Sequence, residues 1–219
     1  MLHASSVVSG PRVLPARALA LLKIFPFCRF RLFQWGLMFY LPLIINDDGN
    51  GDRSAAQVAL LSAVPYTFAA IASILTSWSS DRSRERILHG SVGNFVAAAG
   101  LGLTATLLAG ANGAGKAPSS GLQLAALTVA TVGSASSFPV RKAFEADILE
   151  RDVALFGLAV MKTISIAGGI VGPALVGALK EANGGSFVLP MAALAVSYAL
   201  SGLLFMTLRC VAGRTVGSA

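Results

Sequence analysis

Long uncharged stretches alternate with short charged ones along this chain. Five stretches of 24 to 29 residues stand out: Ser54–Ser80, Ile87–Gly115, Ala117–Val140, Val153–Leu179 and Ala182–Leu208. Lys162 alone interrupts them. A helix needs about 20 apolar residues to cross the hydrocarbon core of a bilayer, so each stretch predicts a transmembrane helix. A sixth stretch, Leu32–Asn46, has 15 residues and follows the mostly apolar Phe25–Phe30. Arg29 and Arg31 can snorkel to the headgroups while that helix begins near Phe27. The pattern predicts an all-α membrane protein with six spans, at about 27–46, 55–78, 88–110, 119–140, 153–179 and 187–208. Residues 1–26 then form a basic N-terminal segment, to be read as a linker, a transit-like leader or a mis-assigned start. Residues 209–219 form a tail.

Composition agrees. Hydrophobic residues make up 55% of the 219 and charged residues 12%, against about 25% charged in a soluble domain. Disordered tails, nucleic-acid-binding modules and ordinary soluble enzymes are excluded on this ground. The net charge of +7 resides in the loops. Thirteen Lys and Arg fall on one side of the predicted topology; Arg53, Lys116 and Lys180 fall on the other. By the positive-inside rule both termini are expected in the cytoplasm.

Little of the chain suggests catalysis. No nucleophile–base–acid set is visible, and two Cys and two His make no metal pattern, so neither an enzyme nor a metal or cofactor is expected. The run Gly110-Ala-Asn-Gly-Ala-Gly115-Lys116 imitates a phosphate-binding loop, but Ala117 takes the place of the magnesium-binding Ser or Thr and no strand precedes it. The acidic stretch Arg141–Asp152 reads as a solvated loop helix, with a short amphipathic interfacial helix as the alternative.

Other features suit a moving membrane bundle. Pro65 falls within the second span and predicts a kink. Gly168-Gly169-Ile-Val-Gly172-Pro173 combines a small-x-x-x-small contact with a possible hinge. The loop Ser80-Asp81-Arg82-Ser-Arg84-Glu85-Arg86 places opposite charges where they can pair across helix ends; a solvated loop is its plainer reading. Lys162 lies ten residues past Asp152, about 15 Å into the fifth span. A charge at that depth costs several kcal/mol unless it faces a polar cavity, so it marks a site.

Three segments in order carry a resemblance: Phe39-Tyr40-Leu41-Pro42-Leu43-Ile44-Ile45, Leu60-Leu-Ser-Ala-Val-Pro65-Tyr66, and Ser80-Asp81-Arg82-x-x-Glu85-Arg86-x-x-His89, followed later by Gly168–Pro173. Together they resemble the carboxy-terminal half of a major facilitator superfamily transporter, nearest to the anion:cation symporter branch of tartrate, galactonate, phthalate and allantoate permeases. The arginine-rich loop looks like the second copy of the superfamily's loop motif, with Ser77 in place of the usual opening glycine. The resemblance implies one six-helix half of a twelve-helix carrier, with a small organic anion as substrate and H+ or Na+ as the coupling ion. It implies alternating access, and a missing N-terminal half or a second copy as partner within the lipid bilayer. Lys162, Gln34 and Tyr40 would then contact substrate, Asp81, Arg82, Glu85 and Arg86 would gate, and Gly168, Gly169, Gly172, Pro173 and Pro65 would serve packing or hinging. The competing expectation is a truncated, non-transporting carrier that acts as a membrane assembly or regulatory partner.

Overall fold

A computed structural model of the chain describes residues 32–46, 53–114, 120–147 and 151–216. Its described residues form six helices: α1 Leu32–Asn46, α2 Ala55–Ser83, α3 Arg86–Ala114, α4 Ser120–Asp147, α5 Arg151–Ala182 and α6 Val188–Val216. Ala55–Ser83, Arg86–Ala111, Gly121–Asp147 and Val188–Thr207 are each long and apolar enough to cross a membrane, and Trp35–Asn46 is a shorter apolar helix. The segments 1–31 and 217–219, and with them the predicted beginning of the first span, lie outside the described residues.

The helices extend past the predicted spans because charged residues continue the helix beyond the apolar core. The clearest departure is at α4. Arg141–Asp147 is helical, but as the last two turns of the span itself rather than a separate solvated helix, with Arg141 and Glu145 each only 4% exposed. Similarly, Gly110 and Gly113 of the phosphate-loop imitation belong to the last turns of α3.

Local chemistry sets the helix ends. Ser54 caps α2: its Oγ accepts from Gln57 N, and Gln57 Oε1 accepts from Ser54 N, a reciprocal capping box. Gln57 is thus occupied in structure. At the other end Arg84 takes the left-handed conformation, φ 54°, that stops the helix. α5 and α6 are joined by a tight turn in which Gly184 and Gly185 have φ of 64° and 84°, and Gly185 N donates to Lys180 O.

α4 packs on both α2 and α3, α3 also packs on α6, and α1 packs on α5. The apolar core joins Leu37, Leu41 and Ile44 of α1 to Leu101 of α3, Leu127 of α4, Val176 of α5 and Met191 and Leu194 of α6. The α3–α4 contact is backbone against backbone. A Cβ on Gly133 would fall 2.3 Å from Ala97 N, and one on Gly100 would fall 2.4 Å from Ala130 N. Between lipid-embedded helices there is no hydrophobic drive to associate, and such close approach provides the dispersion contact instead. Many hydroxyls within the helices are satisfied locally: Ser62, Ser73, Ser77, Thr104 and Thr131 each donate to the carbonyl four residues back.

Candidate functional site

Two regions concentrate polar chemistry, at opposite ends of the bundle. The first is built where α2 ends, α3 begins and α4 ends. Arg86 in the first turn of α3 is bonded to Asp81 on α2 at 3.0 Å and to Asp147 on α4 at 2.5 Å. One guanidinium thereby ties three helices. The Arg82 guanidinium sits 5.9 Å from the Trp78 ring centroid. Glu85 contributes through its backbone, its carbonyl lying 2.7 Å from His89 Nδ1, while His89 Nε2 lies 3.0 Å from Ser79 Oγ. The residues expected to form a charged loop device, Asp81, Arg82, Glu85 and Arg86, are therefore gathered in one place. Asp147 joins them, 61 residues beyond Arg86, and no local pattern announced it.

At the opposite end, donors converge on the carbonyl terminus of α1. Arg53 Nη1 donates to Ile45 O, and the buried Gln123 of α4 donates through Nε2 to Ile44 O at 3.4 Å. The last carbonyls of a helix lack intrahelical partners and carry partial negative charge, so a cation and an amide are suitable caps. Nearby, Tyr40 stacks edge-on against Phe187 with ring centroids 6.0 Å apart, and the Lys180 ammonium lies 3.9 Å over the same ring.

The expected substrate contacts are spread along α1 and α5. Lys162 is exposed on α5, as are Ala159, Thr163 and Ile166 beside it. The Tyr40 hydroxyl lies where a Cβ of Gly177 would be, 2.8 Å away. Gly177 is 15 residues past Lys162, or about 22 Å along the helix, so Tyr40 and Lys162 are not brought together. Gln34 belongs to the first turn of α1, and its side chain lies outside the described residues. Trp35 next to it packs across Gly169, which sets that turn at a level between Lys162 and Tyr40.

The glycines do bring α1 and α5 close. A Cβ on Gly36 would fall 2.8 Å from Val176 Cγ2 and 3.5 Å from Gly172 O. Gly168 and Gly172 are buried, Gly169 and Pro173 half-buried, and Pro65 of α2 is fully buried. Beyond this seam a broad apolar surface faces outward. On α2, Leu60, Val64, Phe68, Ile71, Leu75 and Trp78 are all exposed at helical spacing, and only 17% of the apolar window of that helix is buried, against 50% for α4.

A further polar feature escaped the sequence. Asn94 of α3 donates to Ser201 of α6, and the Ser134 hydroxyl of α4 meets Tyr198 Oη of α6 at 2.6 Å. All four residues are buried. Single serines and asparagines on separate apolar runs give no signal of meeting.

Comparison with known proteins points to transporters. A tartrate transporter of Agrobacterium vitis is 32% identical over 179 residues, 82% of this chain. A quinolone resistance transporter of Acinetobacter baumannii is 35% identical over 150 residues, and a second tartrate transporter of A. vitis is 32% identical over 145. The chain matches part of proteins named as transporters. This transporter-like chain spans about a third of the length of these relatives, 36%, 32% and 30% respectively. Its described residues form an all-helical bundle in which four helices are long and apolar enough to cross a membrane, and its relatives are named as transporters, not enzymes. No family model and no solved structure matches it.

Proposed function

We propose that the chain is one half of a secondary active carrier for small organic anions, driven by H+ or Na+ through alternating access. The observation that carries this reading is Lys162: a cation exposed on α5, within a predicted span, in a chain whose relatives are named as transporters. A lysine held away from water binds a carboxylate more strongly than it would in bulk, because the local dielectric is low. In this reading Lys162 takes the substrate's carboxylate, while Gln34 and Tyr40, which lie on α1, contact the anion at other points of its passage. Asp81, Arg86 and Asp147 hold one gate shut at the basic end, which faces the cytoplasm together with both termini. The Gly168–Pro173 segment gives α5 the freedom to move against α1. The exposed faces of α2 and α5 receive a complementary half or a second copy of this chain. The exposed apolar face of α2 supports that partner requirement; the alternative is a non-transporting assembly partner.

The test is uptake of labelled tartrate into proteoliposomes, with the chain alone and together with the remaining part of the A. vitis relative, under an imposed pH or Na+ gradient. Uptake is expected for the combination and to fall at least tenfold for Lys162→Gln at equal protein abundance. Unchanged uptake in that variant removes Lys162 from the mechanism. Absence of uptake in every combination favours the assembly partner.

A further inference from the structure

α1 carries a proline in its interior, Pro42. A proline has no N–H, so the carbonyl four residues back loses its intrahelical donor. Here that carbonyl belongs to Met38. Within a hydrocarbon layer such a carbonyl has to find its donor on a neighbouring helix. The hydroxyl of Tyr66 on α2 meets this need, donating to Met38 O at 3.1 Å. The Tyr66 ring packs against the apolar core, and the fully buried Pro65 precedes it.

The bond spans the weak point of a helix that is tied on either side. On the N-terminal side of Met38, Gly36 faces Val176 and Gly172 of α5, and Trp35 lies against Gly169. On the C-terminal side of Pro42, Ile44 O accepts from Gln123 of α4, and Ile45 O accepts from Arg53 at the entry to α2. The first segment of α1 is thus bound to α5, and the second to α4 and Arg53. Between them lies the Met38–Pro42 turn, which lacks one rung of its own ladder and borrows it from Tyr66. Proline turns of this kind are where helices kink.

We propose that Tyr66 is the latch of a proline hinge in α1: its hydroxyl holds the Met38–Pro42 turn closed, and the two segments of α1 pivot about that turn when the bond opens. Tyr66 is a positioning residue in this scheme. It acts through a main-chain carbonyl and governs how the segment bound to α5 stands relative to the segment bound to α4. This inference depends on the helical bundle alone and not on the transport reading.

The test is amide hydrogen exchange of the full chain in neutral detergent, read by mass spectrometry over residues 39–46. Tyr66→Phe keeps the ring and deletes the donor, and exchange there should rise about fivefold, the size of one ordinary hydrogen bond. Pro42→Ala returns an N–H to the helix, so in that background Tyr66→Phe should leave exchange within about twofold. Infrared spectra of chain labelled with carbonyl-13C methionine give a second readout in the native background. The Met38 band, assigned with Met38→Leu, should move to higher frequency in Tyr66→Phe, as for a carbonyl released from a hydrogen bond. Melting temperature identifies the variants that remain folded. Folding of Tyr66→Phe only in combination with Pro42→Ala would be a rescue and would support the latch. Unchanged exchange in Tyr66→Phe, an equal rise in both backgrounds, or an unshifted Met38 band overturns the proposal.

Discussion

Arg86 faces two carboxylates at once, one from the helix before it and one from the helix after. Its side chain is 27% exposed, and those of Asp81 and Asp147 are 65% and 55% exposed. Pairs this open to water are worth about 0–1 kcal/mol each, so the network holds a conformation more than it holds the fold. Arg86→Gln is expected to lower thermal stability in detergent by about 1 kcal/mol or less, and a double-mutant cycle of Arg86→Gln with Asp147→Asn should return a coupling of about 0.2–1 kcal/mol. A coupling above 3 kcal/mol would instead mark a pair desolvated by the surrounding bundle. Half of this network was legible in the residues themselves. Asp81 and Arg86 lie five apart in one charged loop, where pairing is a local matter. Asp147 was not, because a partner on another helix depends on which helices become neighbours, and an aspartate among Glu145, Glu150 and Asp152 looks like one more solvated carboxylate.

Among the elements, the helices were legible because membrane insertion demands long uncharged runs, and those runs are visible in any order of packing; four of the described helices are long and apolar enough to span. Helix ends were less so. Hydropathy ends where charge begins, whereas α4 continues through Arg141 and Glu145 to Asp147, its polar last turns still paying their hydrogen bonds internally. Gly168 and Gly172 predict a close helix contact without naming its partner, and the α3–α4 seam was not legible at all, since Gly93, Ala97 and Gly100 are scattered among other small residues. The two glycines Gly100 and Gly102 separate space from propensity. A Cβ on Gly100 would meet Ala130 backbone at 2.4 Å, and one on Gly102 meets nothing within 4 Å. Gly100→Ala should destabilise by about 1–3 kcal/mol through forced separation of the helices. Gly102→Ala should be neutral or stabilise by up to about 1 kcal/mol through helix propensity. Thermal unfolding of both variants in the same detergent checks the pair.

For the whole molecule the outward face is the main issue. Six helices form a closed core, yet α2 leaves most of its apolar surface uncovered, and the chain corresponds to a third of its relatives' length. Co-expression with the remaining part of the A. vitis relative is expected to give a co-purifying complex whose melting temperature exceeds that of the chain alone by several degrees. An unchanged melting temperature and no co-purification would assign the α2 face to lipid. Within the chain, motion has to respect the α3–α4 contact. Because main chain touches main chain there, no rotamer change can loosen it and no side chain can slide through it. The two helices then form a fixed frame, a stator of the bundle, and any displacement of α1 or α5 is to be measured against it.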